Sequence, residues 1–92
     1  MTFEVRYTAK FKKDLKIAAR QGKNLDVLFN VVEKLAQGEK LDVKFRDHAL
    51  TGNYVGYREC HLEPDWLLVY RYIDQILVLS LSRLGSHSDL FR

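Results

Sequence analysis

Disulfides are excluded at the outset, because the chain of 92 residues has a single cysteine, Cys60. That scarcity fits a reducing cytosol. Long apolar runs are missing too. The longest, "WLLVY" and "ILVLSL", are strand-sized and fall far short of the roughly 20 residues of a membrane span. The N-terminus "MTFEVRYTAKF" lacks the basic region followed by an apolar stretch that marks a secretory signal. A cytoplasmic protein with no membrane partner is the expectation. No glycine-rich loop precedes a helix and no Gly-x-Ser-x-Gly elbow is present, so phosphate-loop and serine-hydrolase chemistry have no support. Repeats, low-complexity segments and linkers are also absent, which predicts one domain over residues 1–92.

What is present is the composition of a globular chain, 47% hydrophobic and 29% charged. The net charge of +3 is unevenly placed. Residues 1–48 carry eleven Lys+Arg against seven Asp+Glu, and residues 49–92 carry four against five. A basic N-terminal half suggests an anionic partner such as nucleic acid. Taken alone the signal is weak, since lysine-rich helix faces also serve solubility.

Local patterns divide the chain into two kinds of element. Phe3, Val5 and Tyr7 alternate with Thr2, Glu4 and Arg6, which predicts a half-buried strand. Thr8 is a good N-cap for a helix running to about Gln21 and stopped by Gly22. On that helix Phe11, Leu15, Ala18 and Ala19 share one face, and Lys12, Lys13, Lys16 and Arg20 gather opposite. Asn24 opens a second helix, roughly Leu25 to Gln37, closed by Gly38 and carrying Leu28, Phe29, Val31, Val32 and Leu35 as part of a broad apolar set. The pattern breaks from Glu39 to Asn53. Three strands follow, about Tyr54–Leu62, Trp66–Ile73 and Ile76–Arg83, joined by tight turns at Glu63-Pro64-Asp65 and around Asp74-Gln75. The tail "LGSHSDLFR" is too short to be expected as a packed element. The sum is an α+β fold: two N-terminal helices on one face of a mainly antiparallel sheet of about four strands.

Each of the three histidines has a carboxylate near it in sequence: Asp47 beside His48, Asp65 after His61, and Asp89 after His87. All three lie outside the predicted helices, at sheet ends and loops where sites usually sit. A lone histidine in such a place is more often a surface residue than a catalyst. A three-histidine metal site is the alternative, but the spacings lack a local ligand pair such as His-x-Glu-x-x-His. Cys60 and His61 are strand neighbours pointing to opposite faces, which argues against a nucleophile–base pair. Trp66, Leu68, Tyr70 and Tyr72 share strand parity and read as packing.

Taken together, "DHAL.G", "GYRE.H.EPDW.L.Y" and "G.H..LF" occur in an order and separation that resemble the YafQ branch of the RelE/ParE superfamily of bacterial type II toxins. The likeness runs over nearly the full chain. It implies a ribosome-dependent mRNA endoribonuclease, acting without a metal or other cofactor and neutralised by a co-expressed antitoxin. Matched position by position, the implied catalytic residues are His48, His61, Asp65 and His87, with Arg83 and Phe91 for substrate. In such chemistry His87 is the candidate general acid and His48 or His61 the base, with the two assignments interchangeable from sequence alone and Asp65 orienting His61 or raising its pKa. Arg83 offers a charge-assisted fork to the phosphate, and Phe91 stacks on a base. The Lys12, Lys13, Lys16 and Arg20 stripe is the candidate contact to ribosomal RNA. The other reading of the same architecture is a ParE-like toxin that binds DNA gyrase without cleaving RNA. The placed imidazoles favour the nuclease.

Overall fold

The computed structural model describes residues 2–91. The chain opens with strand β1 (Glu4–Tyr7) and passes through helix α1 (Ala9–Arg20) into helix α2 (Leu25–Ala36). A two-residue strand β2 (His48–Ala49) follows, then three long strands, β3 (Arg58–Glu63), β4 (Trp66–Ile73) and β5 (Val78–Gly85), and a last helical turn α3 (His87–Leu90). Both long helices start where their caps demand. The Thr8 hydroxyl accepts from the Phe11 amide, and the Asn24 side chain accepts from the Asp26 amide. Gly22 and Gly38, just past the helix ends, take the positive φ (74° and 76°) that closes each one.

The sheet has five strands in the order β1-β5-β4-β3-β2. β1 runs parallel to β5, and every other pair is antiparallel. One face packs on the helices. There Cys60, Leu62, Trp66, Leu68, Tyr70, Leu79, Leu81 and Leu84 meet Phe11, Ala18, Leu28, Val31, Val32 and Leu35. A fully buried leucine such as Leu68 contributes about 1.5–3 kcal/mol relative to exposure, so this face supplies most of the driving force. Phe29, expected in the apolar set of α2, instead points outward and is half exposed.

Leu81 and Leu84 both reach the core although they are three residues apart, because the β4–β5 register slips between Val69 and Tyr70. Ser82 is the extra residue, and α1 braces the irregularity. The Thr8 hydroxyl donates to the Ser82 carbonyl at 2.9 Å, and Asp14 accepts from the Leu84 amide at 2.9 Å.

The opposite face of the sheet carries a smaller apolar cluster of Leu67, Val69 and Leu90, with Leu50, Tyr57 and Phe91 against it. This cluster corrects the expectation for the tail. Residues 87–90 form a packed helical turn, and Leu90 anchors it in the sheet. Ser86 and Asp89 close a capping box around its start, so the short turn is satisfied at its N-terminus.

Candidate active site

Strand pairing brings the first two histidines together. In the register His48 lies directly opposite Glu59, and Glu59 and His61 are two apart on β3, hence on one face. The Glu59 Oε1 atom is 3.6 Å from His48 Nε2 and 3.4 Å from His61 Nε2. Glu59 is also the one buried charged residue among those described, at 4% exposure. It was not singled out from the sequence, where a strand glutamate reads as a solvent-facing residue. Its parity with His61 was the available signal.

Each imidazole is steered from behind by the backbone. His48 Nδ1 lies 2.7 Å from the Arg46 carbonyl, and His61 Nδ1 lies 3.4 Å from the Pro64 carbonyl. A carbonyl only accepts, so both Nδ1 atoms carry protons and both Nε2 atoms turn toward Glu59. Arg46 sits in the left-handed region (φ 50°) to aim its carbonyl this way.

The turn at Pro64 was expected to return Asp65 to His61. Instead the carboxylate reaches across to the third histidine. Asp65 Oδ1 accepts from His87 Nδ1 at 2.8 Å and from the His87 backbone amide at 3.0 Å. Those two donors hold the Asp65 carboxyl below its ordinary range. Leu67 pairs with Gly85 across β4 and β5, which brings the start of α3 beside the β3–β4 turn. His61 and His87 then approach to 5.7 Å between ring centroids, and His48 and His61 to 6.2 Å. Three imidazoles therefore gather along one end of the sheet, with Glu59 between His48 and His61 and Asp65 on His87.

Phe91 lies 6.4 Å from His87 and edge-on to Tyr54 at 5.1 Å. Tyr54 also donates its hydroxyl to the Leu90 carbonyl, so the loop before β3 pins the tail. Arg83 is engaged by α1. Its fork is engaged twice by Asp14, through Nε at 2.8 Å and a second guanidinium nitrogen at 3.3 Å. That carboxylate raises the guanidinium pKa. The neighbouring Asp47 is likewise occupied, accepting from Tyr70 and Arg58. Cys60 stays in the core beneath the site, where burial pushes its thiol up to about 12, so it is no nucleophile. Lys12, Lys13, Lys16 and Arg20 all lie exposed on α1.

Three imidazoles with two carboxylates among them and an aromatic beside His87 are the group types that general acid–base chemistry uses. Known proteins carry the same fold. Over residues 3–92 the chain matches the family of bacterial toxins of type II toxin-antitoxin systems, YafQ. The mRNA interferase toxin YafQ of Escherichia coli strain K12 is 34% identical over 89 residues, spanning 96% of this chain and 95% of that protein. In the crystal structure of the E. coli DinJ-YafQ toxin-antitoxin complex, the matched chain has a TM-score of 0.90 at 32% identity, with 100% of both chains covered. A metal-bound toxin from Helicobacter pylori has a TM-score of 0.92 at 47% identity, covering 99% of this chain and 100% of that one. With motifs, fold and near-complete coverage all in agreement, the chain belongs to the YafQ family of bacterial type II toxins.

Proposed function

We propose that this protein is the toxin of a type II toxin–antitoxin pair and an endoribonuclease that cuts mRNA on the ribosome, in the cytoplasm, with no metal in the reaction. The grouping of His48, His61 and His87, with Glu59 shared by the first two and Asp65 on the third, carries the reading. The interferase name of the E. coli relative and the antitoxin seated on its structural counterpart support it. From the metal-bound H. pylori toxin only the capacity to hold a metal is carried over, and the reaction makes no use of it.

The chemistry follows from this grouping. Cleavage of an RNA strand by its own 2′-hydroxyl needs a base for that proton, positive charge for the crowded phosphate and an acid for the departing 5′-oxygen. The Glu59–His61 pair, with His48 beside it, takes the 2′-hydroxyl proton. His87 gives its proton to the leaving oxygen, since Asp65 on Nδ1 leaves Nε2 facing substrate and stabilises the imidazolium. Imidazole suits both transfers because its unperturbed pKa of about 6.5 lies near working pH. Phe91 stacks on a base beside the cut. Arg83 reaches the phosphate only when the phosphate displaces Asp14 from its fork. The antitoxin would cover basic surface with an acidic or amphipathic segment that orders on binding.

Primer extension after brief expression tests the whole reading. New 5′ ends should form on translated messages and not on untranslated ones, and a chelator should leave them unchanged. Gyrase poisoning without RNA ends would instead place the protein with the ParE-like toxins. The exposed stripe Lys12, Lys13, Lys16 and Arg20 serves as the ribosomal RNA contact. Changing all four to glutamine should flatten the salt dependence of ribosome binding by up to four counterions. An unaltered slope would return the stripe to a solubility role.

A further inference from the structure

Beside the histidines a groove runs between α2 and the segment that leads into β2. Its volume of about 1010 Å³ is at the upper end of small-molecule pockets, so it admits a nucleotide. His61 lines it, which makes the groove continuous with the site. Lys34 lines it from α2, and Lys44 and Arg46 from the opposite bank. Four carboxylates accompany these cations: Glu33, Glu39, Asp42 and Glu63. With charge so mixed, attraction for a polyanion has to come from a particular group and not from the field of the whole groove.

Arg46 is that group, because the other arginines near the site are engaged. Arg83 is forked by Asp14, Arg58 is held by Asp47, and Arg71 lies over the Tyr57 ring at 5.3 Å. The Arg46 side chain is exposed and, among the described residues, its guanidinium has no hydrogen-bond, ion-pair or ring partner. The backbone does not ask for an arginine here. At φ 50° glycine or asparagine would cost less. Meanwhile the Arg46 carbonyl lies 2.7 Å from His48 Nδ1, so one bond ties this residue to the reacting imidazoles. A free cation is thus fixed between the groove and the site.

We infer that Arg46 binds the phosphate one step upstream of the cut, and that the mRNA strand enters along this groove and leaves past Phe91. The inference rests on the proposed nuclease reading, whose roles fix the direction. The attacking 2′-hydroxyl belongs to the nucleotide before the cut, and its base is the Glu59–His61 pair at the groove. The departing 5′-oxygen belongs to the nucleotide after the cut. Its acid is His87, which lies outside the groove lining with Phe91 beside it. Upstream chain therefore lies toward Arg46 and downstream chain toward Phe91. The guanidinium offers a charge-assisted hydrogen bond that sets the strand's register on the histidines and takes no proton itself.

Chemically made mRNAs with one uncharged methylphosphonate linkage, placed on programmed ribosomes, test the path by single-turnover cleavage. The linkage sits one step upstream or one step downstream of the cut, and each strand is compared with its charged twin. Removing the upstream charge should slow the wild type about tenfold, and Arg46→Gln should lose about as much on the charged strand. Together the two changes should cost little beyond either alone, because both delete one contact. The downstream linkage should slow wild type and Arg46→Gln by the same factor. Arg46→Lys, which keeps the charge, should recover part of the rate. Amide spectra and an unmoved His48 signal check that the turn still holds its imidazole. Losses that multiply on the upstream linkage, or a folded Arg46→Gln at full speed, would overturn the contact. Coupling to the downstream linkage would instead overturn the direction of the strand. In those failures the nuclease reading stands. A wild type that cuts none of the charged strands would sink that reading, and this path with it.

Discussion

Replacing His87 with alanine should lower single-turnover cleavage of ribosome-bound mRNA by about 10²-fold or more, the low end of what a positioned general acid contributes. The loss should fall on the chemical step. The His87 side chain is more than half exposed, and its imidazole bonds to Asp65. Leu90 supplies the buried anchor of the helical turn, and Ser86 with Asp89 caps it, so neither depends on the imidazole. The backbone amide of residue 87 also survives the change and keeps its bond to Asp65. Alanine thus removes a proton donor from an otherwise intact tail. His87→Gln should fail as badly, because glutamine restores polar bulk without a transferable proton. Asp65→Asn should do less harm, leaving the imidazole present but no longer steadied as a cation. A folded His87→Ala protein that cuts at the wild-type rate would remove His87 from the mechanism.

The tail is also where reading from sequence gave out, for a physical reason. Its stability is tertiary. A four-residue helix cannot support itself by propensity, and α3 exists because Leu90 drops between Leu67 and Val69 on the far face of the sheet. Ser86 and Asp89 cap its start, but nothing local announced the apolar pocket. Strand β2 escaped notice in the same way, since two residues have no period and are held by the register with β3. The parallel pairing of β1 with β5 joins segments more than seventy positions apart in the chain. By contrast, α1 and α2 were legible to within a residue or so, because Thr8, Asn24, Gly22 and Gly38 mark their ends by local bonding and backbone geometry. Strand β3 starts later than alternation suggested. Gly52–Tyr54 forms a 3-10 turn, and Gly56 takes φ 93° before the ladder begins.

In the site the motifs named the three histidines, and the fold rearranged their partners. Proximity in sequence tied Asp65 to His61, four residues away. The β4–β5 register tied it to His87, twenty-two residues away, at 2.8 Å. Arg83 sits close to the site along the chain, yet Asp14 from α1 holds its fork. These partners are set by strand register and helix placement, which a motif does not encode.

Glu59 is the consequence of that gap with the largest predicted effect after His87. Glu59→Gln should cut the cleavage rate by about 10²-fold or more while the protein stays folded. Glutamine matches the volume of the buried side chain, and its amide can donate to an imidazole Nε2 that the carboxylate could only face as an acceptor. Packing is kept and basicity is lost. The two explanations for Glu59 then separate. If it only orients His48 and His61, glutamine orients them too and the rate holds. If it accepts the proton with His61, the rate falls and the limb of the pH profile that reports the base is lost or moved. Glu59→Asp, which keeps the charge and draws it back by one methylene, should fall between the two. Wild-type rates in folded Glu59→Gln would leave the base to the imidazoles alone, and His61→Ala would then have to carry the full loss. The stronger expectation is for the carboxylate, because it is buried at 4% exposure with two histidine nitrogens aimed at a single oxygen. Enclosing a charge so completely is costly unless a proton or cation shares the space, and that shared position is where a 2′-hydroxyl would give up its proton.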